Sequence, residues 1–151
     1  MSRVQLALNV SDLDEAIAFY SKFFNTQPAK IRPGYANFAV EEPPLKLVLI
    51  EGGGAPGSIN HLGVEVFTPD EVAAATTRLA LEGMTTAIEE STTCCYAVQD
   101  KVWVDGPDAS RWEIYTVVAD ATDSKSLGGD ERCCTSDTVR ISGEAAPAAR
   151  C

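Results

Sequence analysis

The chain opens with alternating apolar and polar residues. In segment 4–10 the apolar residues recur at every second position, a period that predicts a β-strand with Gln5 on its polar face. A helix is predicted next, because Asp12 is a favourable N-cap and Glu15 completes a capping box. The proline-containing segment 25–34 is interpreted as a loop, and strands are expected at 35–40 and 46–50.

The same order of elements begins again after a glycine-rich segment, 51–57. Residues 60–66 alternate like the first strand, and a helix is expected from a Thr68 cap to Gly83. Further strands are predicted at 85–91, 95–104 and 111–118. Superposing Gln5 on His61 reveals an internal repeat of about 55 residues. Two such modules, about 2–51 and 58–119, would pair within one chain or across a homodimer into a cupped sheet with the helices outside.

The character of the sequence changes near residue 120. Residues 120–151 are rich in Ser, Thr, Gly, Ala and Pro, and we expect a mostly disordered tail. An alternative remains open, in which Cys133, Cys134 and Cys151 form a second site for a soft ion.

Composition narrows the choice of partners. The 151 residues are 45% hydrophobic, enough for one well-buried domain. A formal net charge of −10 argues against nucleic acid or an anionic membrane as partner. The sequence has neither a membrane-spanning apolar run nor the layout of a signal peptide, so a cytoplasmic protein with reduced thiols is expected.

Cys94 and Cys95 are the only cysteines in residues 1–119. Adjacent thiolates can close on one soft metal or metalloid atom, whereas the plainer interpretation is that both are small buried hydrophobic residues. Successive strand residues point to opposite faces, so a joint grip requires a loop or a strand end. Tyr96 and Lys101 are nearby candidates for orienting or gating a ligand.

The alternation of side chains along the strands predicts a shared environment for three further residues. If the apolar faces pack against helices, Gln5, His61 and Glu113 all lie on the opposite face. An imidazole, a carboxylate and an amide oxygen suit Fe, Mn, Ni or Zn with open positions for other ligands. A lone histidine on a strand is more commonly a hydrogen-bonded sheet residue, but the equivalent positions of Gln5 and His61 in the repeat favour a metal site.

The sequence resembles the vicinal oxygen chelate superfamily, which includes glyoxalases, bleomycin-resistance proteins and dioxygenases. Within it, residues 2–118 are most similar to the bacterial carbon–arsenic lyases, which share their pattern with proteins labelled cadmium-induced. The segments that carry the resemblance are 4–10, 60–66, 92–97, 100–104 and 112–115. The Thr-Thr-Cys-Cys-Tyr-Ala stretch, 92–97, is the most specific of them.

The resemblance implies an α+β fold of two paired βαβββ modules that form a cupped mixed sheet around a metal site. It also implies Fe(II)- and O2-dependent cleavage of trivalent organoarsenicals, such as methylarsonous acid and trivalent aromatic arsenicals, to arsenite. Gln5, His61 and Glu113 fall at the metal-ligand positions of this family, and Cys94 and Cys95 at its arsenic-binding positions. Gln5 departs from the more usual histidine of the superfamily.

Two other functions are kept open. A non-catalytic protein that sequesters cadmium or arsenite would need only the two thiols. A fosfomycin-type thiol transferase, or another metalloenzyme of the superfamily, would leave the cysteine pair without a role.

Overall fold

The structure is a computed structural model that describes residues 2–121 and 139–140. The predicted disordered tail, with Cys133, Cys134 and Cys151, lies outside the described residues except for positions 120, 121, 139 and 140. The chain divides into two compact units, one formed by residues 2–65 and one that begins at Val66.

The first unit contains five strands and one helix among its described residues. They are β1 (Arg3–Val10), α1 (Leu13–Phe23), β2 (Lys30–Arg32), β3 (Tyr35–Val40), β4 (Leu45–Glu51) and β5 (Ile59–Glu65). The strands lie in the order β2-β3-β4-β1-β5, with β1 and β4 parallel and the other neighbours antiparallel. The contacts of β5 thus place it in the first unit, where it pairs directly with β1.

The helix α1 begins where the sequence predicts. Asp12 Oδ1 accepts a hydrogen bond of 2.8 Å from the Glu15 backbone N–H, which satisfies one of the unpaired donors of the first turn. The apolar side of α1 packs on one face of the sheet in a core of Leu13, Ala36, Phe38, Val40, Leu47 and Leu49. Consequently, the alternate residues of β1 lie on the opposite face, as the pattern predicts.

The strand β2 differs from the prediction of a loop over 25–34. Its three residues pair with the start of β3 across a tight turn, in which Gly34 has a φ of +68°. A three-residue strand is too short to show a recognisable alternation, which is why the sequence pattern did not reveal it.

The second unit combines one helix with an antiparallel sheet among its described residues. Its elements are α2 (Pro69–Leu81), β6 (Thr86–Cys94), β7 (Ala97–Asp105), a 3₁₀ helix (Pro107–Ala109), β8 (Arg111–Asp120) and β9 (Val139–Arg140). The strand order is β8-β7-β6-β9. The helix α2 has the predicted capping box between Thr68 and Glu71. The predicted boundary at 91–95 is shifted, because β6 continues to Cys94 and β7 begins at Ala97.

Helix α2 covers one face of this sheet. Val72, Leu79 and Val102 form its buried core, with Val66, Ile88, Val104 and Ile114 packed against them. By alternation, Lys101 and Glu113 lie on the other face. The predicted α+β class is confirmed. Neither α1 nor α2 is long and apolar enough to cross a membrane.

Candidate metal and thiol sites

Both cysteines lie at the turn between β6 and β7. Cys94 is the last residue of β6, and Cys95 and Tyr96 form the two-residue connection, with φ values of +52° and +62°. Positive φ at both central positions is typical of a type I′ hairpin turn, which usually contains Asn-Gly. Residues with a Cβ adopt this conformation at a cost of about 1–2 kcal/mol each. The turn therefore holds the thiols in place at an energetic cost.

The turn brings the two sulfur atoms together. Cys94 Sγ and Cys95 Sγ are 3.4 Å apart, with Cys94 buried and Cys95 half-buried. Two thiolate bonds of about 2.3 Å to one central atom would separate the sulfurs by roughly 3.4–3.8 Å, for angles of about 95–110° at that atom. The pair is therefore spaced to bind one soft atom with both sulfurs.

A buried ion pair lies in the same unit. Lys101 Nζ is 2.9 Å from Glu113 Oε2, and the two side chains are only 2% and 3% exposed. The ammonium group also lies over the rings of Trp103 and Tyr115, at 5.2 and 6.0 Å from their centroids. This side of the sheet is therefore a polar, largely water-excluded surface.

The charge of Lys101 also acts on the thiols. Burial would lower the pKa of Lys101, but the negative charges of Glu113, Cys94 and Cys95 raise it well above its usual range. Because electrostatic attraction is mutual, the Lys101 cation favours the thiolate forms of both cysteines. The thiolate is the form that binds soft atoms.

Gln99 was not singled out from the sequence. It is buried, its Nε2 donates to the Cys94 carbonyl oxygen at 3.4 Å, and its Oε1 has no hydrogen-bond partner among the described residues. An unsatisfied buried acceptor is costly and rare. The signal that could have revealed Gln99 is the alternation along β7. Gln99 lies two residues before Lys101 and therefore on the same face of the strand.

The first unit places Gln5 and His61 side by side. Both side chains are buried, and Gln5 Nε2 lies 3.1 Å from His61 Nε2. His61 Nδ1 is 2.7 Å from Asn60 Oδ1, a contact that leaves Nε2 as the acceptor when Nδ1 carries the proton. A histidine oriented through its other nitrogen is typical of metal ligands.

The donor chemistry of these residues fits a divalent transition metal. No group of three or more His, Cys, Asp or Glu side chains is arranged for a metal ion within residues 2–121 and 139–140. Within the first unit, the residue beside His61 that could supply a further ligand is Gln5, through its amide oxygen. Since Gln5 Nε2 faces His61, the amide group would have to turn over to present that oxygen.

The sequence model of the Glyoxalase/Bleomycin resistance protein/Dioxygenase superfamily matches residues 3–114. The chain belongs to this superfamily. Within the superfamily, it is 61% identical over 132 residues to "Cadmium-induced protein CadI" of Mycobacterium tuberculosis H37Rv, covering 87% of this chain and 85% of that protein. It is 58% identical over 136 residues to the "Trivalent organoarsenical cleaving enzyme" of Thermomonospora curvata, covering 89% of each.

A solved structure of the superfamily fold is also similar. The Mn(II)-bound glyoxalase from Novosphingobium aromaticivorans superposes with a TM-score of 0.57 and 19% identity, over 85% of this chain and 44% of that one. At this level of identity the similarity concerns the fold alone.

Proposed function

We propose that this superfamily member cleaves the carbon–arsenic bond of trivalent organoarsenicals and releases inorganic arsenite. The proposed substrates are methylarsonous acid and trivalent aromatic arsenicals. The observation that carries the proposal is the 3.4 Å separation of the Cys94 and Cys95 sulfurs on a turn beside a buried cation. The name of the Thermomonospora curvata relative supports the substrate class.

Cys94 and Cys95 would bind the arsenic atom. A trivalent arsenical with one organic group has two exchangeable hydroxyls, so two thiols can replace both and form two As–S bonds. The thiol protons leave with the hydroxyls as two molecules of water, and the oxidation state of arsenic does not change. The organic group is then the one remaining substituent, and its orientation is set by the turn, which lowers the entropic part of the barrier.

Lys101 would prepare the thiols for this step. Its ammonium group favours thiolates in a buried setting, where charge interactions are stronger than in water. The Oε1 of Gln99 is suited to accept a hydrogen bond from an arsenic-bound hydroxyl before it is displaced. We assign Tyr96 a gating role at the turn.

We further propose Gln5, His61 and Glu113 as ligands of a functional Fe(II), with dioxygen as co-substrate. When bound, Fe(II) would supply the activation of dioxygen that oxidative cleavage of a carbon–arsenic bond needs. The part of the chain in this chemistry is to hold the ligands: Asn60 orients His61, and Lys101 orients the Glu113 carboxylate. The reducing cytoplasm would keep both thiols available.

Sequestration of cadmium or arsenite without turnover is the second candidate function. A close dithiol beside a lysine is sufficient for it, and the name of the Mycobacterium tuberculosis relative is consistent with it. It gives no role to the buried contact between Gln5 and His61.

Arsenite release separates the two candidates. The full chain, with Ser at positions 133, 134 and 151, is loaded anaerobically with Fe(II), mixed with phenylarsine oxide and exposed to oxygen. We expect arsenite from this protein and none from Cys94→Ser, whereas His61→Ala should bind the arsenical without releasing arsenite. Asn37→Ala, which removes a buried amide elsewhere in the first unit, is the matched control. Stoichiometric binding without release by the parent protein would support sequestration, and release by Cys94→Ser would exclude the proposed capture.

A further inference from the structure

A continuous chain of hydrogen bonds runs from His61 to the glycine-rich loop between β4 and β5. His61 Nδ1 contacts Asn60 Oδ1 at 2.7 Å, and Asn60 Nδ2 donates to Asn9 Oδ1 at 2.9 Å. Asn9 Nδ2 donates to Ser58 Oγ at 2.8 Å, and Ser58 Oγ donates to the Ala55 carbonyl oxygen at 2.6 Å. All of these groups belong to the first unit.

The Ala55 carbonyl group determines the donor and the acceptor in every bond of this hydrogen-bond chain. A carbonyl oxygen can only accept, so the Ser58 hydroxyl hydrogen must point at Ala55, and the Ser58 oxygen must accept from Asn9. The Asn9 amide then presents its nitrogen to Ser58 and its oxygen to Asn60. In turn, Asn60 presents its oxygen to His61. That oxygen needs a donor, so His61 must carry its proton on Nδ1, and the lone pair is on Nε2, the atom that faces Gln5.

A β-bulge makes this contact between adjacent residues possible. The pairing of β1 with β5 shifts between Ala7 and Leu8, so that Ala7 pairs with His61 and Leu8 with Ile59. Asn60 is the extra residue, and bulges re-aim side chains in this way. Without the bulge, Asn60 and His61 would point to opposite faces of the sheet.

The glycine loop packs directly on Asn9. A Cβ added at Gly53 would lie 2.7 Å from Asn9 Oδ1, and one at Gly54 would lie 2.7 Å from Asn9 Nδ2. Neither position can carry a side chain while Asn9 keeps its place. The backbone of the loop thus lies directly against Asn9, the middle residue of the hydrogen-bond chain.

We propose that Asn60 and Asn9 are positioning residues that hold the imidazole of His61 in the tautomer whose Nε2 can bind a metal ion. The inference rests on the proposed function, because it takes His61 as a ligand. Asn60 contacts the ring, and Asn9 acts through Asn60. The oriented carbonyl group of Ala55 determines which way the chain runs.

The tautomer can be observed directly, because the protein contains a single histidine. Long-range ¹⁵N NMR on the metal-free full chain at about pH 8, where an ordinary imidazole is neutral, distinguishes the two ring nitrogens. We expect the Nδ1-protonated form in the parent protein and in the control Asn37→Ala. Asn60→Ala should populate both forms, and Asn9→Ala should do so more weakly.

The affinity for Fe(II), measured anaerobically by competition with a chromophoric chelator, gives a second result. Loss of an orienting partner typically weakens metal binding by about 10–100-fold, and we expect a loss of this size for Asn60→Ala. Asn60→Asp keeps an acceptor for the His61 Nδ1–H, although it loses the donor to Asn9 Oδ1, and it should retain the Nδ1-protonated form. If Asn60→Ala does not fold, an Asn60→Asp variant protonated mainly on Nε2 would overturn the proposal. A parent protein protonated on Nε2 would overturn the inference, as would an Asn60→Ala variant with unchanged tautomer and affinity.

These measurements use no arsenical. The expected tautomer and affinities, together with an absence of arsenite release, would sustain this inference and reject only the proposed reaction. Arsenite release by a protein whose His61 is protonated on Nε2 would support the proposed reaction and overturn this inference.

Discussion

Lys101 and Glu113 form an ion pair in which Nζ and Oε2 are 2.9 Å apart and both side chains are almost fully buried. Removing two charges from water is costly, and their attraction offsets this cost only while both are present. The pair therefore links the stability of the second unit to the thiol turn, since the same lysine also interacts with Cys94 and Cys95.

Replacing Lys101 alone should destabilise the metal-free protein strongly. Lys101→Met leaves a buried carboxylate without its partner, which typically costs about 3–5 kcal/mol. The double variant Lys101→Met/Glu113→Gln should recover part of this loss. Urea unfolding provides the free energies.

The control for this experiment is an exposed ion pair in the same unit. Arg111 Nε lies 3.9 Å from Asp105 Oδ1, and the Asp105 side chain is 80% exposed. Asp105→Asn should change the free energy of unfolding by less than about 1 kcal/mol. Similar effects of Lys101→Met and Asp105→Asn would contradict the role of the buried pair.

Alternation in the sequence predicted on which face of each strand the buried polar side chains lie. The apolar positions of β1, β5 and β8 indicated which faces pack on a helix, and Gln5, His61 and Glu113 are all buried on the other faces. This prediction is possible because the side chains of a strand alternate strictly between the two faces of a sheet.

Features that depend on register or on a bulge could not be predicted in this way. The Lys101–Glu113 contact depends on how β7 and β8 pair across their connection, which periodicity does not determine. The contact of Asn60 with His61 requires the bulge in β5. The turn at Cys95 and Tyr96 lacks the usual Asn-Gly signature, so its position was misjudged.

Glu65 should make the stability of the first unit depend on pH. Burial alone would raise the pKa of Glu65, but the hydrogen bond from Arg3 and the charge of Lys46 lower it below 4.5. The folded state therefore holds this proton less tightly than the unfolded state. The stabilisation is fully present above about pH 4.5 and is lost as the pH falls through the lowered pKa.

The variant Glu65→Gln tests this dependence. It should be less stable than the parent protein near pH 7, and the difference should shrink as the pH falls below about 4.5, because the parent carboxylate becomes neutral. Urea unfolding at several pH values measures both proteins. Glu41→Gln is a suitable control because Glu41 is exposed. A difference between Glu65→Gln and the parent that stays constant down to about pH 3 would be inconsistent with the lowered pKa.

Gly54→Ala should weaken metal binding from a distance. Its Cβ would lie 2.7 Å from Asn9 Nδ2, so Asn9 must move and release Asn60. We expect a destabilisation of about 1–3 kcal/mol, typical of overpacking, and a lower affinity for Fe(II). Gly83→Ala is the control, since Gly83 has a φ of +74° but nothing within 4 Å of an added Cβ. It should lose about 1 kcal/mol through backbone strain and keep its metal affinity. Equal affinities in the two variants would argue against the role of Asn9.

The two thiols should differ in their rate of alkylation by iodoacetamide. A bound arsenical should nevertheless protect both of them from alkylation. Cys95 is half-buried, whereas Cys94 is 6% exposed, so iodoacetamide should modify Cys95 several-fold faster in the folded protein. Mass spectrometry of the protein with Ser at 133, 134 and 151 would follow both sites, and denaturant should equalise the rates. One equivalent of phenylarsine oxide should then protect Cys94 and Cys95 to the same extent, because both sulfurs bind one arsenic atom. Protection of Cys95 alone would mean that the arsenical is held by a single sulfur, in which case the 3.4 Å spacing would not serve substrate capture.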